Sequence, residues 1–446
     1  MTAGSAEHRS STLDSGLRVV TERVPAVRSV ALGFWIVGGS ALEAGPQAGI
    51  SHLLEHMLFR GSGRYSSVAI DQIFDEMGSG LNAETDKEAT TLSSRVLDTH
   101  LERAFDVMSD MLWRPAFEEL EAEREVVLQE IASYEDDPQD QIFDRLAEAV
   151  FGDHPLGRAV IGTAQSVAAI DREALRGYHA GHYLPKSIVV AAAGSLDHEE
   201  VVELARASCP RGDEAPARDR AAGAAPRSER RTRFQRKDTE QYHVCIGGPG
   251  LARPDERRFT LRVLEGVLGA TPSSRLFQEV RERRGLAYSV FCFSNLYAGT
   301  GDVGIYVGTR AENLAEALAV IAAELRKIAT EPIAEEELVR SRECAKSAVV
   351  LALESSGARM SRLGSSLLWG LPILSIDELM ERIDAVGAED CSALARELYA
   401  GDRLSVAGIG ADEQIFRRAL VPLEELASSA GGGASAAVAR EPEPVP

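Results

Sequence analysis

The stretch "AGISHLLEHMLFRGSG", residues 48–63, places two histidines and a glutamate within five positions of an otherwise apolar run. On a helix, His52 and His56 fall one turn apart on the same face with Glu55 beside them. A single histidine on an apolar helix reads most simply as a hydrogen-bonded core residue. Two at chelating distance with a carboxylate between them point to a metal instead. The intervening leucines read as core.

Two imidazoles do not make a catalytic zinc site, which uses three protein ligands and keeps a fourth position open. The best source of a third ligand is the acid-rich run "EELEAEREVVLQEIASYEDD", residues 118–137. On a helix its Glu123 and Glu130 lie two turns apart and share a face, whereas Glu125 and Glu135 point elsewhere as solvated acids. Val126, Val127 and Ile131 suggest that this helix packs on a core. Spacing leaves Glu123 and Glu130 tied as the candidate ligand.

The rest of the chain divides into two similar halves. With 446 residues and 44% apolar composition, it is too long for one ordinary core. In the first half "LRVVTERV" and "SVALGFWIVGGS" read as strands. They are followed by the histidine helix, a helix at "AIDQIFDEMG", a strand pair in "LNAETDKEATTLSSRVL" and long helices from Asp98 and Glu118. Helix "REALRGYHAGHY" and strand "SIVVAAAG" close it. The second half repeats the order, with strand "QYHVCIGG", helices "RRFTLRVLEGVLG" and "SSRLFQEVRERRG", strands "AYSVFCFSNLY" and "GDVGIYVG", and long helices.

This pattern predicts an α+β fold of two homologous units, each a mostly antiparallel sheet packed by helices. Residues 15–210 form the first unit and residues 233–426 the second. Residues 1–14 read as a flexible arm, the Ala-, Pro- and charge-rich stretch 211–232 as a linker, and 427–446 as a disordered low-complexity tail. In the repeat, "HLLEH" falls opposite "RVLEG", residues 262–266, so Arg262 and Gly266 stand where histidines would be. One unit carries a metal site and the other does not.

Bulk properties narrow the function. A net charge of −21 lacks the basic footprint that nucleic acid requires. It is equally compatible with attraction of basic peptides and with ordinary acidic solubility. Five dispersed cysteines (Cys209, Cys245, Cys292, Cys344 and Cys391) form neither a C-x-x-C pair nor a disulfide framework, which fits a reducing compartment. No run approaches the roughly 18 apolar residues of a membrane span, and the first residues lack a signal-peptide core. The expectation is a cytoplasmic protein without membrane partners.

Three spaced motifs, "HLLEHMLFRG", "LNAETDKEAT" and "EREVVLQEI", together resemble the inverted-motif zinc metallopeptidases of the pitrilysin and insulinase family, nearest the branch of mitochondrial processing peptidase and its bacterial relatives. The resemblance spans about Ser15 to Gly410. It implies a clamshell of the two units and one zinc ion per chain, held by His52, His56 and Glu130. Glu55 becomes the general base, and Glu123 an acid that orients a ligand or assists catalysis.

The resemblance further implies that Asn82 and Ala83 lie along the substrate backbone, and that Arg281 and Tyr288, in "VRERRGLAYSV", reach the same site from the second unit. Its members cleave unfolded or extended peptides and work as homodimers or as heterodimers with a related chain. Some serve as catalytically silent partner subunits, which typically lack part of the metal motif that this chain has complete. A non-hydrolytic metal-binding regulator would not need Glu55. One departure is "LGATPSSRLF", where Ala270, Thr271 and Pro272 replace further glycines and put any substrate role of that loop in doubt.

Overall fold

A computed structural model describes residues 8–210 and 229–431. The first sheet contains β1 (His8–Thr12), β2 (Arg18–Arg23), β3 (Ser29–Val37), β4 (Leu81–Thr85), β5 (Ala89–Leu97) and β6 (Ile188–Gly194), in the order β1-β2-β6-β3-β5-β4. The second contains β7 (Thr232–Arg236), β8 (Tyr242–Gly250), β9 (Ala287–Leu296), β10 (Gly301–Thr309) and β11 (Ser405–Gly410), in the order β7-β11-β8-β10-β9.

Both sheets share one plan. β2 and β6 pair parallel, as do β7 and β11, and every other pair is antiparallel. The second sheet therefore repeats the last five strands of the first, and β4 and β9 are equivalent edge strands. The α+β class and the repeat expected from the sequence are present.

Helices cover each sheet from both halves of the chain. Helix Pro138–Phe151, from the first half, lies on β8 and β11 of the second sheet. Its Ile142, Leu146 and Val150 join Cys245, Tyr306, Ala407 and Ile409 in one cluster. Helix Ser356–Trp369, from the second half, lies on β2, β3 and β6 of the first sheet, where Met360, Leu363 and Leu368 meet Trp35, Val189 and Ala191.

Burial on both faces explains why β6, "IVVAAAG", and β10, "GDVGIYVGT", are buried at every position and show no alternation of apolar and polar residues. Gly364 permits this crossing, because a Cβ there would lie 2.4 Å from the Trp35 ring. Glu22 on β2, fully buried, pairs with Arg359 and with Arg362, the latter at 3.1 Å, and adds an ionic tie to the same helix.

Several expected boundaries shift. His8–Thr12, expected in a flexible arm, is instead an edge strand, because its backbone pairs with Arg18–Glu22 and Ser11 meets His198 at 2.9 Å. Thr232 already belongs to β7, paired parallel to β11, and helix Val421–Gly431 carries the ordered chain past residue 427. The remainder of the expected linker, 211–228, and of the tail, 432–446, lies outside the described residues, as does 1–7. "SSRLFQEVRERRG" contains a π-helical turn over Phe277–Glu282. No helix among the described residues is long and apolar enough to cross a membrane.

Candidate metal centre

Helix Ile50–Leu58 buries Ile50, Leu53, Leu54, Met57 and Leu58 completely and turns His52, Glu55 and His56 to its half-buried side. Its start is fixed by Gly49, whose left-handed backbone (φ 91°) suits glycine. The Gly49 and Ser51 amides donate to the buried Glu43 carboxylate at 2.9 and 2.8 Å, satisfying donors that a helix start leaves free. Burial raises the pKa of Glu43, and those hydrogen bonds oppose the shift.

The acidic helix Leu120–Asp136 packs against the histidine helix through Val127 and Ile131. Val126, expected at that contact, is instead 43% exposed: it follows Glu125 on the solvent side, where the helix turn carries it away from Val127's buried stripe. Glu125 and Glu135 are exposed, as expected.

The packing separates the roles of Glu123 and Glu130. Glu130 Oε1 lies 3.6 Å from His52 Nε2, and its Oε2 lies 3.4 Å from His56 Nε2. Glu123, 3% exposed, meets the opposite ring nitrogen, His56 Nδ1, at 2.7 Å and also accepts from Arg60.

The residues fit a zinc ion. His52, His56 and Glu130 form a group whose candidate ligand atoms lie within 4.8 Å of one another. A tetrahedral ion with bonds of about 2.0–2.1 Å separates its ligand atoms by roughly 3.3 Å. The two nitrogen–oxygen gaps, each to a different Glu130 oxygen, are close to that separation and longer than ordinary hydrogen bonds. Burial, then the neighbouring His56, holds the His52 imidazole neutral with a pKa near 4, the form that binds metal.

Glu55 is raised by burial, an effect opposed first by the Thr85 hydroxyl on β4 and then by His56. Its Oε2 is buried without a hydrogen-bond partner among the described residues. The histidine helix packs on β4, where Asn82 is exposed and Ala83 half-buried. β4 is the sheet's edge, so one side of its backbone is open to pairing.

In the second half, Arg281 and Tyr288 come together, the guanidinium 4.6 Å from the Tyr288 ring centre and 4.7 Å from that of Phe277. Tyr288 is 78% exposed at the start of β9. No hydrogen bond, ion pair or ring contact joins this pair to the histidine helix among the described residues.

The helix equivalent to the histidine helix, Arg258–Leu268, retains a buried Glu265. Ser341 occupies the space beside Gly266, where a Cβ would lie 2.1 Å from its hydroxyl oxygen. The Ala270–Pro272 loop closes the end of this helix, with the Ala270 amide donating to Glu265 O at 2.8 Å and Gln278 bonded to Pro272 O.

Sequence reasoning missed Glu43, Arg60 and Thr85. Only Arg60 left a trace, its i,i+4 spacing from His56; the partners of the other two are set by packing.

The fold defines a class of two repeated α+β units, one of which carries the candidate metal residues His52, His56 and Glu130. Residues 18–164 match the family model "Insulinase (Peptidase family M16)" and residues 169–343 match "Peptidase M16 inactive domain". A protein named "uncharacterized zinc protease" from Streptomyces coelicolor is 42% identical over 413 residues, 90% of this chain and 89% of that one. One of the same description from Bacillus subtilis is 38% identical over 394 residues, covering 88% and 95%.

The chain belongs to the M16, or insulinase, peptidase family. Its fold matches that of a solved protease from Helicobacter pylori at TM-score 0.85 and 21% identity, over 91% of this chain and 100% of that one.

Proposed function

We propose that this chain is a zinc-dependent endopeptidase that hydrolyses unfolded or extended peptides, with one zinc ion held by His52, His56 and Glu130. The observation that carries the reading is the convergence of those three side chains, with candidate ligand atoms within 4.8 Å of one another, beside an unpaired Glu55 oxygen. When bound, zinc lowers the pKa of water toward about 7 and polarises a carbonyl.

Glu55 takes the proton of the attacking water and returns it to the leaving amine; the raised affinity of its carboxylate for protons suits both steps. Glu123 holds the His56 ring by Nδ1 and leaves Nε2 free for the metal. The open edge of β4, at Asn82 and Ala83, pairs with the substrate backbone as an added strand. Arg281 and Tyr288 hold the scissile carbonyl and stabilise its developing charge.

The resemblance to processing peptidases suggests basic, extended peptides as substrates, and the net charge of −21 is compatible with them. A complete motif set on one chain fits a homodimer, with a heterodimer with a related chain as the alternative, and the dispersed cysteines fit a cytoplasmic setting.

The test is digestion of a diverse unstructured peptide library by the purified protein, with metal analysis, chelation and a Glu55→Gln control. Zinc at one per chain, with cleavage lost on chelation and in the variant, is the expected result. Equal cleavage by wild type and variant overturns the mechanism. Metal binding without cleavage assigns the chain instead to the silent partner subunits.

A further inference from the structure

The turns that close the two equivalent edge hairpins, Asp86–Glu88 between β4 and β5 and Tyr297–Thr300 between β9 and β10, meet each other. The Ala298 amide donates to the Glu88 carboxylate, 3.0 Å from each oxygen. Arg253, just beyond β8, lies 3.0 Å from Glu88 Oε2, and its own amide donates to Tyr297 O at 2.7 Å. Glu88 is 2% exposed.

Through its partner Arg253 and through Lys87, the Asp86–Glu88 turn is linked to both exchanged helices. The Arg253 guanidinium stacks 4.2 Å from the Trp369 ring centre, at the end of the helix that covers the first sheet. Lys87, 7% exposed, lies 3.4 Å from Asp144 on the helix that covers the second and donates to Arg158 O. The turn's backbone is held as well, with Ser40 N bonded to Asp86 O and Gly38 N to Glu88 O.

Consecutive buried charges are an expensive way to close a turn, because well-packed apolar residues of similar volume are commonly at least as stable. What these charges supply is direction: each has one partner set, and the partners lie on different halves of the chain. β4 carries Thr85 against Glu55 and the open edge at Asn82, whereas β9 carries Tyr288.

We propose that Glu88, clasped by Ala298 and Arg253, is a positioning residue. It joins the two edge hairpins tip to tip and so sets the substrate strand β4 against the Arg281–Tyr288 pair. The functional part of this inference rests on the peptidase reading, while the clasp itself does not.

Hydrogen exchange and peptide binding on the full chain test it. Glu88→Ala and Arg253→Met are each expected to speed exchange at least tenfold over Leu81–Thr85 and Ala287–Leu296, leaving β3 and β8 unchanged. In a Glu55→Gln background, binding of an unstructured peptide weakens about tenfold while zinc content stays constant. Glu88→Gln keeps an oxygen for the Ala298 amide and falls between, so it carries the comparison if the alanine variant does not fold.

Unchanged exchange at both hairpins, or equal acceleration in β3 and β8, overturns the clasp. Faster hairpin exchange with unaltered peptide affinity overturns its positioning role. Failure of the wild type to cleave any peptide sinks the peptidase reading alone, since exchange still decides the clasp.

Discussion

His56 is held from both sides of its ring, with Nδ1 2.7 Å from the Glu123 carboxylate and Nε2 3.4 Å from Glu130. A carboxylate on Nδ1 fixes that nitrogen as the donor and leaves Nε2 as the acceptor that faces Glu130. The two acids that spacing alone left tied are thus distinguished by which ring nitrogen each meets.

Glu123→Gln keeps the shape but weakens the anionic partner of His56 and of Arg60. Loss of such a partner typically lowers metal affinity about 10–100-fold. Zinc titration against a competing chelator measures it, and an affinity equal to wild type means that Glu123 does not orient the ring.

Glu55→Gln separates chemistry from metal binding. Zinc affinity is expected to hold within a few-fold, while peptide turnover falls by about 10²–10⁴, the usual contribution of a general base. Turnover and metal content measured on one preparation decide between a base and a role in holding the ion.

Glu22→Ala removes the only acid in the Glu22–Arg359–Arg362 group. Breaking a buried pair by deleting one partner costs about 3–5 kcal/mol, so urea unfolding should show a loss of that order. A change under about 1 kcal/mol means that water reaches and solvates the two arginines after the deletion.

Asp302 gives a pH dependence with a definite sign. It lies buried on β10 beside Asn295, Tyr297, Lys87 and Asp86, and burial raises its pKa from 3.8 to about 6. The folded state therefore holds this proton more tightly than the unfolded chain. Its contribution to stability is full below about pH 4 and is lost as pH rises through about 6. Asp302→Asn cannot ionise, so the stability difference between variant and wild type should shift in the variant's favour by about 3 kcal/mol from pH 4 to pH 8. Parallel stability curves for the two proteins refute this.

Glu119 precedes the acidic helix with a left-handed backbone, φ 58°, which is strained for a residue with a side chain. Glu119→Gly is expected to stabilise by about 1 kcal/mol, read as a shift in urea midpoint at unchanged slope. A loss of stability shows that the Glu119 side chain contributes more than the strain it imposes.

The sequence by itself determined the two-unit α+β plan and the histidine helix. Strict H-x-x-E-H spacing puts the imidazoles on one face, while short apolar runs mark the strands, some of them without alternation, and helical periodicity marks most of the helices. Local geometry carries those signals, so no tertiary information is needed to read them.

Only the tertiary structure decided which partner each side chain meets. The exchange of helices Pro138–Phe151 and Ser356–Trp369 between sheets leaves no periodic mark, because a helix buried on another half's sheet has the same apolar stripe as one buried on its own. The contact of Glu88 with Ala298 joins residues 210 positions apart. The assignment of His56's two nitrogens likewise depends on how two helices pack, a relation between distant segments that neither segment encodes alone.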